Sequence, residues 1–93
     1  MNYSHVLSSE QDGRFYIGSA GDLRARLQKH SSGLVRSTTH RRPLRLIDYE
    51  GCWRMDDAHR RGRYLKTAHG GRYLKPRLAS WLVDIRSNKL ERH

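Results

Sequence analysis

Cysteine is nearly absent. The single Cys52 cannot close an internal disulfide, so cross-linking does not hold this fold together and a reducing compartment, the cytoplasm, is the expected setting. Apolar residues make up only 35% of the 93-residue chain, and no run approaches the ~20 apolar residues that a membrane span needs. The first residues lack the charged-then-apolar layout of a secretory signal. Proline is scarce, at two residues, and phenylalanine occurs once. Acidic residues are few as well, with nine Asp and Glu against nineteen Lys and Arg. A chain of this length makes one domain, expected over residues 1–85, with a polar tail over 86–93. So small a domain buries only about 60–70% of the surface its unfolded chain exposes, and its margin of stability is thin.

What is abundant is positive charge. The net charge of +10 is dominated by arginine, whose planar fork matches phosphate oxygens two at a time. Such a balance points to nucleic acid. A membrane surface is a poorer fit, because no basic stretch carries a long apolar face.

Along the chain, Tyr3–Leu7 and Arg14–Gly18 read as two short strands joined through Asp12-Gly13, a hairpin turn signal. After Gly21, Asp22 can cap a helix on which Leu23 and Leu27 form an apolar stripe. Arg26 and His30, also four apart, share another face, and Ser31-Ser32-Gly33 ends the helix. Residues 34–43 are a basic loop. Leu44–Tyr49 alternates as a third strand, with Leu44, Leu46 and Asp48 on one side. Met55-Asp56-Asp57 can cap a second helix over Ala58–Thr67, with Ala58, Arg61 or Gly62, and Leu65 inward. His69-Gly70-Gly71 reads as a break. Pro76 suits the first turn of a third helix whose Leu78, Trp81, Leu82 and Ile85 pack the core. The expected class is α+β: a small three-stranded antiparallel sheet flanked by helices, in the order β-β-α-β-α-α.

Three residues of the first half carry chemistry. Tyr16 serves either as a packed tyrosine or as a phenol at the sheet's edge, and spacing alone favours packing. Strand parity puts it on one face with Gly18, and His5 can lie nearby across the hairpin. Arg26 and His30 form either a solvated helix face or a pair aimed at one phosphate. Phosphodiester cleavage needs a base for water, a cation for the developing charge and an acid for the leaving oxygen, and Arg, His and Tyr supply that inventory.

The succession "YIG", "DLRARLQKH", "STTHRRPLRLIDYE" and "DAHRRGRYLK" resembles the GIY-YIG nuclease family, its small stand-alone bacterial members above all, from about Tyr3 to Leu82. The resemblance implies a DNA endonuclease that cuts phosphodiester bonds with a divalent metal, Mg²⁺ or Mn²⁺. Tyr16-Ile17-Gly18 would be the YIG half, with Tyr16 in the active site. Arg26 would hold the scissile phosphate, and His30 would stand near it. Thr38–Pro43 would lie along DNA, and contacts to nucleic acid are expected from Arg24, Lys29, Arg36, His40, Arg41, Arg42 and Lys66. DNA, duplex or branched, is the expected partner, with RNA as a second possibility and no protein partner implied.

Two positions depart from the pattern. His5 stands where the GIY half ends in the tyrosine that acts as or orients the general base; an imidazole, with an ordinary pKa near 6.5, can do that work. Gly62 stands where the family carries its metal-binding glutamate, and a glycine offers no ligand. Asp56, Asp57, His59 and Glu50 are the nearby substitutes. Three readings follow: an active nuclease with an altered site, a nuclease-fold module that binds without cutting, and a basic adaptor on an acidic partner.

Overall fold

The computed structural model describes the backbone of residues 1–91 and the side chains through Ile85. Its sheet is built on β1 (Asn2–Ser9), the middle strand, with β2 (Phe15–Ala20) on one side and β3 (Leu44–Cys52) on the other, both antiparallel. The central position explains why every residue from Ser4 to Ser9 is buried: both faces of β1 are covered. The hairpin turns where expected. Gly13 takes a positive φ of 70°, and the Asp12 carboxylate accepts the Arg14 N–H at 2.8 Å.

Alternation along β1 sends its side chains to two different layers. Val6 joins Leu65, Leu74 and Leu78 in the apolar core, with Phe15, Ile17, Ile47 and Tyr73 packed around them. Those leucines belong to α2 (Met55–Leu65), to α3 (Ala68–Arg77) and to the junction before α4 (Ala79–Glu91). His5 points to the other layer, toward α1 (Leu23–Ser31). In the register, His5 faces Gly18 and Leu7 faces Tyr16, so these four residues share that face.

The third strand carries a correction. Val6 pairs with Asp48 but Leu7 pairs with Leu46, so Ile47 is an extra residue on β3. The bulge reverses the alternation, and Asp48 turns away from Leu46, toward the core face. There it receives Arg77 at 2.6 Å, and Glu50 on the same face receives Arg61 at 2.8 Å and the Tyr73 hydroxyl at 3.0 Å. These pairs fasten α2 and α3 to the sheet.

The helices begin and end somewhat differently from expectation. Asp22 caps α1 through the Ala25 N–H at 3.0 Å, as its sequence suggests. The residue before α2 is Arg54, without a side-chain cap, and Asp56 and Asp57 lie inside its first turn, where they meet the helix dipole. Ala58, Gly62 and Leu65 are its buried residues. The expected break at His69–Gly71 is helical: Thr67 caps α3 by accepting the Gly70 N–H, and Gly70 lets α3 cross against the Tyr64 carbonyl and the Leu65 backbone. Pro76 therefore ends α3 instead of opening the next helix, and a helix is added to the order. Leu78 is buried, and Trp81 stacks at 5.9 Å from Phe15. The polar tail expected over 86–93 starts within α4, whose backbone is helical to Glu91; residues 92 and 93 lie outside the described residues.

Candidate active site

The site starts from a missing side chain. His5 lies across the hairpin from Gly18, and its Nε2 sits 3.0 Å from the point where a Cβ on residue 18 would be. Glycine thus leaves β2 flat enough for the imidazole to lie on it. His5 is 1% exposed and its Nδ1 has no hydrogen-bond partner. Burial, then the neighbouring His30 and the Arg26 guanidinium, push its pKa down to about 4, so the ring is neutral at neutral pH.

The His30 ring stands at 6.2 Å from the His5 ring, nearly edge-on. It closes α1, is itself buried, and shares a 2.7 Å hydrogen bond between Nδ1 and the Thr38 hydroxyl. Burial and then Arg26 depress its pKa as well. Arg26, one turn earlier on α1, has a buried Nε with no partner. Tyr16, Gly18, His5, Arg26, His30 and Thr38 line one cavity of about 720 Å³. The Tyr16 hydroxyl donates to Asp12 at 3.0 Å, and burial, then that carboxylate, raise its pKa; it reaches this cavity as a neutral phenol tied to the hairpin turn.

The four residues expected at the site, His5, Tyr16, Arg26 and His30, therefore meet at one cavity, while the basic residues expected to touch nucleic acid are dispersed. Lys66 lines the same cavity. Arg24 lies on another flank of α1, in a depression with Leu23, Leu27 and Tyr49. Lys29, Arg36 and His40 are exposed. Arg41 approaches Asp12 at 3.5 Å, and Arg42 folds back to donate to the Thr39 and Ser31 carbonyls, its guanidinium covering Gly33. Thr38 and Gly18 were not singled out from sequence for what they do here. A Ser-Thr pair ahead of a basic run carries no sign that one hydroxyl will be buried against a histidine eight residues earlier.

The metal implied by the resemblance finds no holder. Position 62 is buried beside the Gly18 carbonyl, 3.8 Å from where its Cβ would be, and has no side chain. Glu50 is fully engaged by Arg61 and Tyr73, Asp57 pairs with Arg60 at 2.7 Å, and the His59 Nδ1 is 2.7 Å from the Ser19 hydroxyl. Among the described residues no three His, Cys, Asp or Glu side chains gather to hold a cation. The residues present do not fit a protein-held divalent ion, whose usual ligands are one or two carboxylates.

Comparison with known families agrees with the geometry. The model of the GIY-YIG catalytic domain matches residues 1–74 of the 93. No curated protein and no solved structure gives a significant match. The match covers the sheet, α1 and α2, and with them every residue of the cavity's His–Arg–His cluster, and nucleases built on this domain act on nucleic acid and generally depend on a divalent metal. By its fold and by this match, the chain belongs to the GIY-YIG nuclease family.

Proposed function

We propose that this is a DNA endonuclease domain, folded as one unit over residues 1–85, whose cutting is impaired at a single position. The observation that carries the reading is a pair of buried nitrogens without partners, Arg26 Nε and His5 Nδ1, at one cavity. An orphaned buried donor costs roughly 1–3 kcal/mol, and a chain keeps such groups where a ligand completes them. A phosphodiester does so here. Arg26 binds its oxygens and offsets the charge that develops as the phosphorus gains a fifth oxygen. His5, neutral and held against β2, accepts the proton of an attacking water. Thr38 fixes the ring of His30 at the same phosphate, and Tyr16 bounds the cavity at the hairpin end.

Gly62 supports a second reading, a binding module that does not cut. Without the carboxylate, a divalent ion is held by water and phosphate alone, and no step is assigned to it. The adaptor reading has no comparable support. A cytoplasmic setting fits the lone free cysteine.

Nicking of supercoiled plasmid in Mg²⁺ or Mn²⁺ tests the proposal, with binding to DNA and RNA duplexes measured in parallel. The native chain is expected to bind DNA in a salt-sensitive way and to nick slowly; Gly62→Glu is expected to nick at least about ten-fold faster, a barrier lower by roughly 1.4 kcal/mol. Loss of nicking and weakened binding in Arg26→Ala support the phosphate site. A Gly62→Glu protein no faster than the native one, together with an Arg26→Ala protein that binds as well, would sink the proposal.

A further inference from the structure

The cavity that contains Arg26 has a second wall, made where α2 meets α3. Lys66, Thr67, Gly71 and Lys75 line it. Lys66 is the residue that caps the C-terminal end of α2, and Lys75 lies one turn after Gly71 on α3, so Gly71 and Lys75 share a face. Neither ammonium takes part in an ion pair among the described residues.

Gly71 is the telling residue. Glycine inside a helix costs about 1 kcal/mol against alanine. At Gly70 the packing explains it, because a Cβ would collide with the Tyr64 carbonyl. At Gly71 nothing does: a Cβ there has no neighbour within 4 Å, and the backbone is ordinary helix. What distinguishes the position is the cavity in front of it. A bare helix surface between two lysines admits a ligand's backbone closely. Phe15, Ile17, Val35 and Leu82 are the half-buried apolar side chains of the lining, and the volume of about 720 Å³ is of the size that encloses a small organic ligand, well beyond one phosphate group.

We infer that Lys66, Gly71 and Lys75 form a second phosphate site, which takes the phosphate adjacent on the strand to the one held at Arg26, with the intervening nucleoside over the apolar lining. The inference rests on the phosphate reading of Arg26 and extends it: the domain grips two consecutive phosphates of one strand.

Fluorescence anisotropy with a labelled duplex DNA over a salt series tests it on the full chain. The Lys66→Gln/Lys75→Gln pair is expected to weaken binding and to reduce the slope of log K against log salt by about one for each lysine. Gly71→Gln, which fills the cavity mouth, is expected to bind at least about five-fold more weakly with an unchanged or higher melting temperature, as the helix propensities require. Gly71→Ala is expected to melt higher and to bind more weakly than the native chain, by a smaller factor than Gly71→Gln, its methyl being smaller. An unchanged slope and affinity in the lysine pair overturns the second site, and so does native affinity in a folded Gly71→Gln. The lysines are exposed, so their variant reports on a folded protein even where Gly71→Gln fails to fold. Arg26→Ala, run alongside, separates the two readings. If it alone weakens binding, the first phosphate site stands and the second falls; if none of the variants weakens binding, both fall.

Discussion

His30 Nδ1 and Thr38 Oγ1 lie 2.7 Å apart and are both buried, so the last turn of α1 is tied to the basic loop through a histidine of the candidate site. The Thr38 hydroxyl is also within 3.4 Å of the Val35 carbonyl, to which it donates. With its proton given to Val35, the hydroxyl accepts from Nδ1–H, and the Nε2 lone pair of His30 is left free for chemistry. Thr38→Val keeps the shape and removes the acceptor, leaving a buried N–H unpaired. The expected loss is about 1–3 kcal/mol in urea denaturation, with a change in the His30 tautomer by nitrogen NMR, and Thr38→Ser is expected to restore both. Unaltered tautomer signals in Thr38→Val would remove the positioning role.

Acid is expected to weaken the fold through the two imidazoles. His5 has a pKa of about 4 folded against 6.5 unfolded, and that of His30 is lowered too, so between these values the unfolded chain binds more protons. Their contribution is complete above about pH 6.5 and is lost as pH falls toward 4. For His5 it is on the order of 3 kcal/mol. Urea midpoints that decline from about pH 7 to pH 5, and an imidazole of His5 that stays neutral by NMR over that range, are the expected results. Bound oligonucleotide should raise both pKa values, since a phosphate favours the charged rings.

Gly18→Ala tests the seat of His5. The new methyl would stand 3.0 Å from Nε2 and 3.1 Å from Cε1, tighter than van der Waals contact, with the ring unable to retreat from a buried position. A destabilisation of about 1–3 kcal/mol is expected, together with a shifted His5 resonance and weaker DNA binding. A fully stable variant with native affinity would mean that the ring has room the packing does not suggest.

At Gly62 the expectation is the reverse. A methyl there meets only the Gly18 carbonyl at 3.8 Å, an ordinary contact. Gly62→Ala is therefore expected to raise stability by up to about 1 kcal/mol from helix propensity, without any gain in nicking. That pairing of outcomes, set beside Gly62→Glu, separates the effect of a carboxylate from the effect of a firmer helix.

Glu50 is expected to behave as a brace and not as a metal ligand. Arg61 grips its carboxylate with two hydrogen bonds, Tyr73 adds a third, and the Arg61 guanidinium lies between the rings of Tyr64 and Tyr73 at 5.0 and 4.5 Å. The hydrogen bond from Arg61, above all, holds the Glu50 pKa below its ordinary value. Glu50→Gln should cost about 1–2 kcal/mol in thermal or urea melts and leave any metal-dependent nicking unchanged. A loss of metal response in that variant would identify Glu50 as the substitute ligand.

Much of the site was legible because it depends on local periodicity. Arg26 and His30 had to share a face once α1 was a helix, and Tyr16 and Gly18 once β2 was a strand. The Asp12-Gly13 turn then brought His5 opposite Gly18. Where local signals competed with packing, they failed. Gly70-Gly71 resembles a break until the crossing of α2 and α3 supplies a reason for Gly70 and Thr67 supplies a cap. Asp48 shares the parity of Leu46 in sequence but not in the sheet, because one extra residue at Ile47 resets it.

The sequence by itself determined the charge, the three strands and the faces shared by Tyr16 with Gly18 and by Arg26 with His30, because each follows from composition or from a period of two or 3.6 residues, while the choice of those residues as a site came from the resemblance of the motifs. Only the tertiary structure decided which of those residues are buried without partners, that Thr38 anchors His30, that Arg42 is tied to the carbonyls of Thr39 and Ser31, and that Lys66, Gly71 and Lys75 join the cavity of Arg26. These are relations between segments far apart in the chain. They are set by how helices and strands pack, which no local pattern encodes.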